Sequence, residues 1–324
     1  MAGPCHHRRV SDPTRRGALV PPPEGVVPLR PLTVGELLDA AIALLRARPA
    51  RLVGIGALLA IIEQVLLYPL RSLADQDATL LPGTGRLGEF GWLIVAGFAT
   101  EAMAIAVLGA IAATGSGPAL LGRAAPPRPR TRPVAVAFAV LAVGLVVALA
   151  ASPYVLVLES LQALGIVVAF MLVALTWPLP YGLVGLAPAV AVVEQRGPGA
   201  ALVRSVRLAG RDLARAAWVR VLGYASWLVL RFAVVLGTFA LVSLVYGNLP
   251  SSTVDRIVLA AAAAVLNTIA YSVLACLDVV LLLEGRMRTE GLDIALRWAL
   301  RRGVAVSLAA PVSSDTGRPT GATR

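Results

Sequence analysis

The sequence predicts an all-α protein, a polytopic membrane helix bundle with about six transmembrane helices and interfacial amphipathic helices. Three observations predict it. The 324 residues are 58% hydrophobic with a mean hydropathy of +0.80, above the roughly 45 to 50% apolar share of soluble domains. The apolar residues gather into runs of spanning length, since about 20 residues cross a hydrocarbon core of roughly 30 Å. The 29 basic residues, all arginine, sit mostly between those runs and favour one side of them.

Residues 1 to 30 hold Arg8, Arg9, Arg15, Arg16 and the run Pro21 to Pro23, and read as a disordered leader that cannot bury a core. No charged stretch followed by an apolar segment and a small-residue cleavage site precedes residue 50, so the first membrane helix is expected to be retained. The membrane domain is expected over 31 to 302, with a second disordered tail over 303 to 324. The six runs are Leu52 to Leu70, Gly91 to Ala113, Val134 to Leu158, Leu164 to Val193, Val219 to Leu244 and Ile257 to Leu283.

Orientation follows from arginine density. The leader to Arg51 carries eight arginines, the connection after the second run four (Arg123, Arg128, Arg130, Arg132), the connection after the fourth run six (Arg196 to Arg220), and the C-terminal region seven (Arg286 to Arg324). The opposite side has Arg71, Arg86 and Arg256. The positive-inside rule then puts both termini in the cytoplasm of a bacterial cell.

Three segments on that side read as helices lying on the membrane, near 33–48, 199–215 and 291–302. The first opens with Thr33-Val34-Gly35-Glu36, a capping-box pattern, and lines up Val34, Leu37, Leu38, Ala41, Ile42 and Leu45 opposite Glu36, Asp39 and Arg46. In the second, Arg204, Arg207, Arg211 and Arg215 form a basic stripe opposite Leu202, Val206, Ala209 and Leu213, the pattern of an interfacial helix. The third sets Leu292, Leu296, Ala299 and Leu300 against Asp293, Arg297 and Arg301. The expected partner of these faces is the lipid bilayer with its anionic headgroups.

Other partners are excluded by what is missing. The basic patches lack aromatic interleaving and zinc-ligand spacing, so nucleic acid is not expected. Cys5 in the leader and Cys276 in an apolar run are not a disulfide framework, and His6 and His7 read as solvated tail, so no metal or cofactor is expected. There is no phosphate loop, no His-Glu-x-x-His and no Gly-x-Ser-x-Gly; Gly83-Thr84-Gly85 reads as a turn.

The stretches LRPLTVGELLDAAIALLRARPARLVGI (29 to 55), GPGAALVRSVRLAGRDLARAAWVRVLG (197 to 223) and EGRMRTEGLDIAL (284 to 296) resemble an uncharacterised actinobacterial multi-pass family labelled the membrane domain of glycerophosphoryl diester phosphodiesterase. The resemblance covers roughly residues 29 to 300 and implies an architecture. In the namesake enzymes a soluble barrel supplies histidine acid/base groups and metal-binding carboxylates. Here the only histidines are His6 and His7 and no barrel-sized segment separates the runs, so phosphodiesterase activity is not carried over and the chain is expected not to be an enzyme.

Polar residues inside the runs are the candidate site. Arg231 lies twelve residues in from Val219, Glu63 eleven from Leu52, Glu101 ten from Gly91 and Asn267 ten from Ile257. At about 1.5 Å per residue all four fall near one layer at the bilayer midplane. An arginine there costs about 2.5 to 3.5 kcal/mol on insertion scales, so Arg231 is expected to pair with Glu63 or Glu101. Asp278 lies nearer the inner boundary. In the fourth run, Pro178 and Pro180 would free the carbonyls of Ala174 and Thr176 and kink any helix there. The functional expectation is a non-enzymatic membrane module or scaffold for envelope or lipid-related partners. The alternative is a small-solute or lipid transporter with a polar midplane site, and a lesser one is a membrane-embedded hydrolase.

Overall fold

The computed structural model describes residues 25–73, 87–122, 132–153, 155, 178–211, 213–246, 253–302 and 308–309. Among these residues there are eleven helices and no strand: α1 (Val34–Ala47), α2 (Pro49–Leu73), α3 (Leu87–Ala113), α4 (Ser116–Leu121), α5 (Pro133–Ala151), α6 (Pro178–Val184), α7 (Ala187–Val193), α8 (Pro198–Arg211), α9 (Leu213–Tyr246), α10 (Thr253–Glu290) and α11 (Leu292–Arg302). Five stretches are long and apolar enough to cross a membrane, Pro49–Leu73, Gly88–Ala113, Pro133–Ala151, Ala217–Thr238 and Ile257–Glu290; Leu179–Val193 is a shorter apolar stretch. The chain is a polytopic helical membrane bundle.

Each long helix divides into two faces. On α2, Leu52, Gly56, Ala60, Glu63 and Leu67 recur at helical spacing on the buried side, while Leu58, Ile61, Ile62, Val65 and Leu66 are exposed. On α5, Ala135, Ala139, Val143, Val147 and Ala151 turn inward, and Phe138, Leu141, Leu145 and Leu149 turn outward. Such apolar surfaces would aggregate in water, but lipid tails solvate them. Because lipid is as apolar as leucine, the helices are held by close packing and hydrogen bonds instead.

Small residues permit that approach. The centre of the bundle is α3, which packs on α2, α5, α7 and α10, and its buried face includes Ala102, Ala106 and Ala113. Where α2 meets α10, a Cβ on Gly56 would lie 2.8 Å from Ser272 Oγ and 3.1 Å from the Thr268 carbonyl oxygen. The Ser272 hydroxyl donates back to Thr268 at 2.8 Å.

The described part of the fourth apolar run is two short helices with a break between them. Pro188 stands in the first turn of α7, where its missing N–H and its ring prevent α6 from continuing. The chain turns at Gly185, whose N–H donates to the Tyr181 carbonyl at 2.6 Å; a side chain there would come within 2.9 Å of the Tyr181 ring. The expected freeing of the Ala174 and Thr176 carbonyls lies outside the described residues.

At the arginine-rich end several expectations are corrected. Part of the expected leader packs on the bundle: Val27 is 1% exposed and its N–H donates to the Ala119 carbonyl at 2.8 Å. The apolar run Val26 to Leu29 explains why this part of the leader packs. In the C-terminal tail, Leu308 is buried and its carbonyl accepts from Arg286 at 2.7 Å. The amphipathic helix α1 does not lie on lipid alone; Leu37, Ala40, Ala41 and Leu44 are buried and the helix packs on α10, which continues past Leu283 to Glu290 and offers it a wall. Ile42, expected on the apolar side, is exposed.

The capping box at α1 forms: Glu36 N–H meets Thr33 Oγ1 at 3.4 Å and Thr33 N–H meets Glu36 Oε2 at 2.8 Å. Arg30 closes the group at 2.5 Å. The hydrogen bond from Arg30, followed by those from Thr33, holds the Glu36 carboxyl down to about 2.

The two glycines of the first span provide an internal comparison. Nothing lies within 4 Å of a Cβ on Gly54, so Gly54→Ala is expected to leave stability unchanged or raise it by up to about 1 kcal/mol through helix propensity. Gly56→Ala is expected to cost about 1–3 kcal/mol by forcing α2 from α10. Thermal unfolding of the two variants in detergent checks the difference.

Candidate functional site

Two polar layers lie within the bundle, and the first contains the four residues marked by sequence. Glu63 on α2 is 5% exposed, Glu101 on α3 2% and Asn267 on α10 1%. The Glu63 carboxylate accepts from Asn267 Nδ2 at 3.1 Å, from the Tyr271 hydroxyl at 2.5 Å and from Thr100 Oγ1 at 3.2 Å. Glu101 accepts from Trp227 Nε1 at 3.0 Å and from Arg231 Nη1 at 3.5 Å. Thus Arg231 takes Glu101 as its counter-charge, at the long end of an ion pair, with a third of its side chain exposed.

The structure brings Glu63 and Glu101 into one layer because they sit on two helices that pack together, α2 and α3. Their donors come from α3, α9 and α10. Buried carboxylates without such donors would each carry a desolvation penalty of several kcal/mol, and among the described residues side chains of other helices supply them. Toward the end of α2, Arg71 donates to Gln64 Oε1 at 2.7 Å.

The second layer was not marked as a site by sequence. Arg220 on α9, 4% exposed, donates through Nε to Asp278 Oδ1 at 2.9 Å. The Tyr181 hydroxyl of α6 donates to Asp278 Oδ2 at 2.5 Å. Arginine counting groups Arg220 with the connection before the fifth run. A signal was nonetheless present: Arg220, Tyr224, Trp227 and Arg231 repeat at four, three and four residues, and Asn267, Tyr271 and Asp278 keep matching spacing on α10. Eleven residues separate the layers on each helix, about 16 Å of axial rise.

The basic stripe does not stay whole. Arg207 and Arg211 are exposed, but Arg204 turns inward to Glu194 at 3.0 Å and to Glu290. Arg215 pairs with Glu284 at 3.3 Å and donates to the Leu32 carbonyl at 2.5 Å. The cause of this correction is three carboxylates from α7's end and α10 that a single-helix reading does not see. Arg286, fully buried, joins Glu194 at 3.6 Å and Glu290 at 3.3 Å, and Arg288 pairs with Glu284. Burial pushes the Glu194 carboxyl up, yet hydrogen bonds from Arg204 and Arg196 and the charge of Arg286 outweigh it and hold the group below the usual carboxylate range.

Among the described residues no group of three or more histidine, cysteine or acidic side chains could hold a metal. No protein-family model, curated protein or solved structure matches the chain.

The geometry separates the two glutamates as partners of Arg231. Stability of Arg231→Leu, Glu101→Gln and the double variant, measured by thermal unfolding, is expected to show a coupling of about 0.5–3 kcal/mol, whereas Arg231→Leu with Glu63→Gln is expected to be close to additive. Equal coupling for both glutamates would contradict the contact pattern.

Proposed function

We propose that this chain is a non-enzymatic membrane module that scaffolds envelope or lipid-related partners, inserted in the bacterial cytoplasmic membrane with both termini in the cytoplasm. One observation carries the reading: the carboxylates at mid-depth are buried and bonded by side chains of neighbouring helices, the arrangement of a fixed structural layer. The resemblance of residues 29 to 300 to a membrane domain points the same way. The exposed Arg207 and Arg211, beside exposed Val203 and Val206, suit anionic headgroups at the inner leaflet. On α11, Trp298 carries Arg302 at 3.9 Å over its ring, and a tryptophan at this position suits the interfacial zone.

A transporter is the second reading, favoured by the partial exposure of Arg231. Purification from native membranes separates the two. The scaffold reading expects a protein partner retained in fixed stoichiometry. A chain that purifies alone and moves a solute into proteoliposomes, with uptake abolished by Arg231→Leu at unchanged stability, would replace it.

Two further measurements bear on membrane placement. Reporter fusions after Arg207 and after Arg302 are expected to be active as cytoplasmic fluorescent proteins and inactive as alkaline phosphatase; phosphatase activity at either site would reverse the orientation. Native mass spectrometry of Arg207→Ala/Arg211→Ala is expected to show several-fold less retained anionic lipid with zwitterionic lipid unchanged. Equal retention would remove these arginines from the lipid contact.

A further inference from the structure

The Arg220 guanidinium is incompletely used. Its Nε is bonded to Asp278, but Nη1 and Nη2 are buried and have no hydrogen-bond partner among the described residues. They border a cavity of about 20 Å³ lined by Ile105, Tyr181, Arg220, Tyr224, Leu274 and Leu277, with Asp278 at its wall. Buried N–H donors of a charged group are strongly disfavoured without an acceptor. A void of roughly 10–15 Å³ or more, reckoned for a water-sized sphere, admits a water when polar partners surround it.

We infer that this cavity is a binding site for a single water molecule, held by the Arg220 Nη donors between α3, α6, α9 and α10. The ligand is neutral and small for two reasons. Asp278, 2.9 Å from Nε, already balances the guanidinium charge, so an anion would bring an uncompensated negative charge into a buried site. The volume of about 20 Å³ suits a water-sized ligand. The water accepts from Nη1 and Nη2 and has its own hydrogens available to the phenol oxygens of the lining tyrosines, Tyr181 and Tyr224.

The position gives the water a structural consequence. Tyr181 belongs to α6, in the second half of the fourth run, and its hydroxyl is bonded to Asp278 of α10. Tyr224 is one turn from Trp227, whose indole donates to Glu101. The water therefore extends hydrogen bonding from the second layer toward the first, and fastens the broken helix to the bundle without a direct bond for each donor.

X-ray radiolytic labelling of the full chain in detergent tests this, because hydroxyl radicals formed from a bound water oxidise the rings beside it. Tyr181 and Tyr224 are each 4% exposed and Phe90 is 6% exposed, so bulk solvent reaches all three to a similar extent. The tyrosines are expected to be oxidised at least several-fold faster than Phe90. Leu274→Phe, which fills the cavity, is expected to bring them to the Phe90 rate. Should that variant fail to fold, Arg220→Met/Asp278→Leu removes the donors and the charge together and is expected to have the same effect. Tyrosine labelling no faster than Phe90 in the unaltered chain overturns the site, as does unchanged labelling in a folded variant. An anomalous bromide peak beside Arg220 in a bromide-grown crystal would overturn the neutral ligand in favour of an anion.

Discussion

Glu63 and Glu101 sit in a layer where the surrounding solvent offers no hydrogen bonds, and the arrangement of the central helices follows from that constraint. An ionised carboxylate at bilayer depth is tolerated only if donors reach it from neighbouring helices. Tyr271 and Asn267 bring α10 to Glu63, and Trp227 and Arg231 bring α9 to Glu101. Apolar packing in lipid has little preference for one rotation of a helix over another. The carboxylates supply that preference: turning α10 by one residue, about 100°, would carry Asn267 and Tyr271 away from Glu63 together. The small residues at the contacts, Gly56 above all, then allow the backbones to come close enough for the bonds to form.

At the arginine-rich end the same chemistry serves a different purpose. Several arginines there are struts between elements. Arg215 and Arg288 both reach the Leu32 carbonyl, and Arg297 reaches that of Leu29, so three helices hold one extended segment. Arg204 and Arg286 bridge the end of α7 to α10 through Glu194 and Glu290. The planar guanidinium, with five donors, suits this task because one side chain can meet a carboxylate and a carbonyl at once. Arg207 and Arg211 on α8 remain exposed.

The fourth run shows how a break in a membrane segment is stabilised. Pro188 ends the ladder between α6 and α7, and backbone freed at such depth must be satisfied inside the protein. The Leu183 carbonyl, near the end of α6, accepts from the Ser205 hydroxyl of α8 at 2.6 Å. Tyr181 fixes the preceding turn to α10 through Asp278. Side chains of two other helices thus do the work that continuous helical hydrogen bonds do elsewhere in the bundle.

The sequence by itself determined the fold class and the placement of the five long apolar helices, because hydropathy, helical rise and capping are local properties. The spacing of Glu63, Glu101, Arg231 and Asn267 within their runs was enough to put them in one layer, and Thr33 with Glu36 was enough to start α1. Which carboxylate Arg231 meets depended on the rotation and adjacency of α3 and α9, and no periodicity within one helix contains that. The same holds for Arg204 and Arg215. Read on one helix they belong to a lipid-facing stripe, but α10 extends past its apolar run to Glu290 and brings Glu284 and Glu290 beside them. Arg220 and Asp278 were legible as charges near a boundary, and only the approach of α6, α9 and α10 made them a buried pair with a cavity beside it. Charge in a membrane protein is assigned to lipid, water or a partner by distance, and the distances that decide it run between helices far apart in the chain.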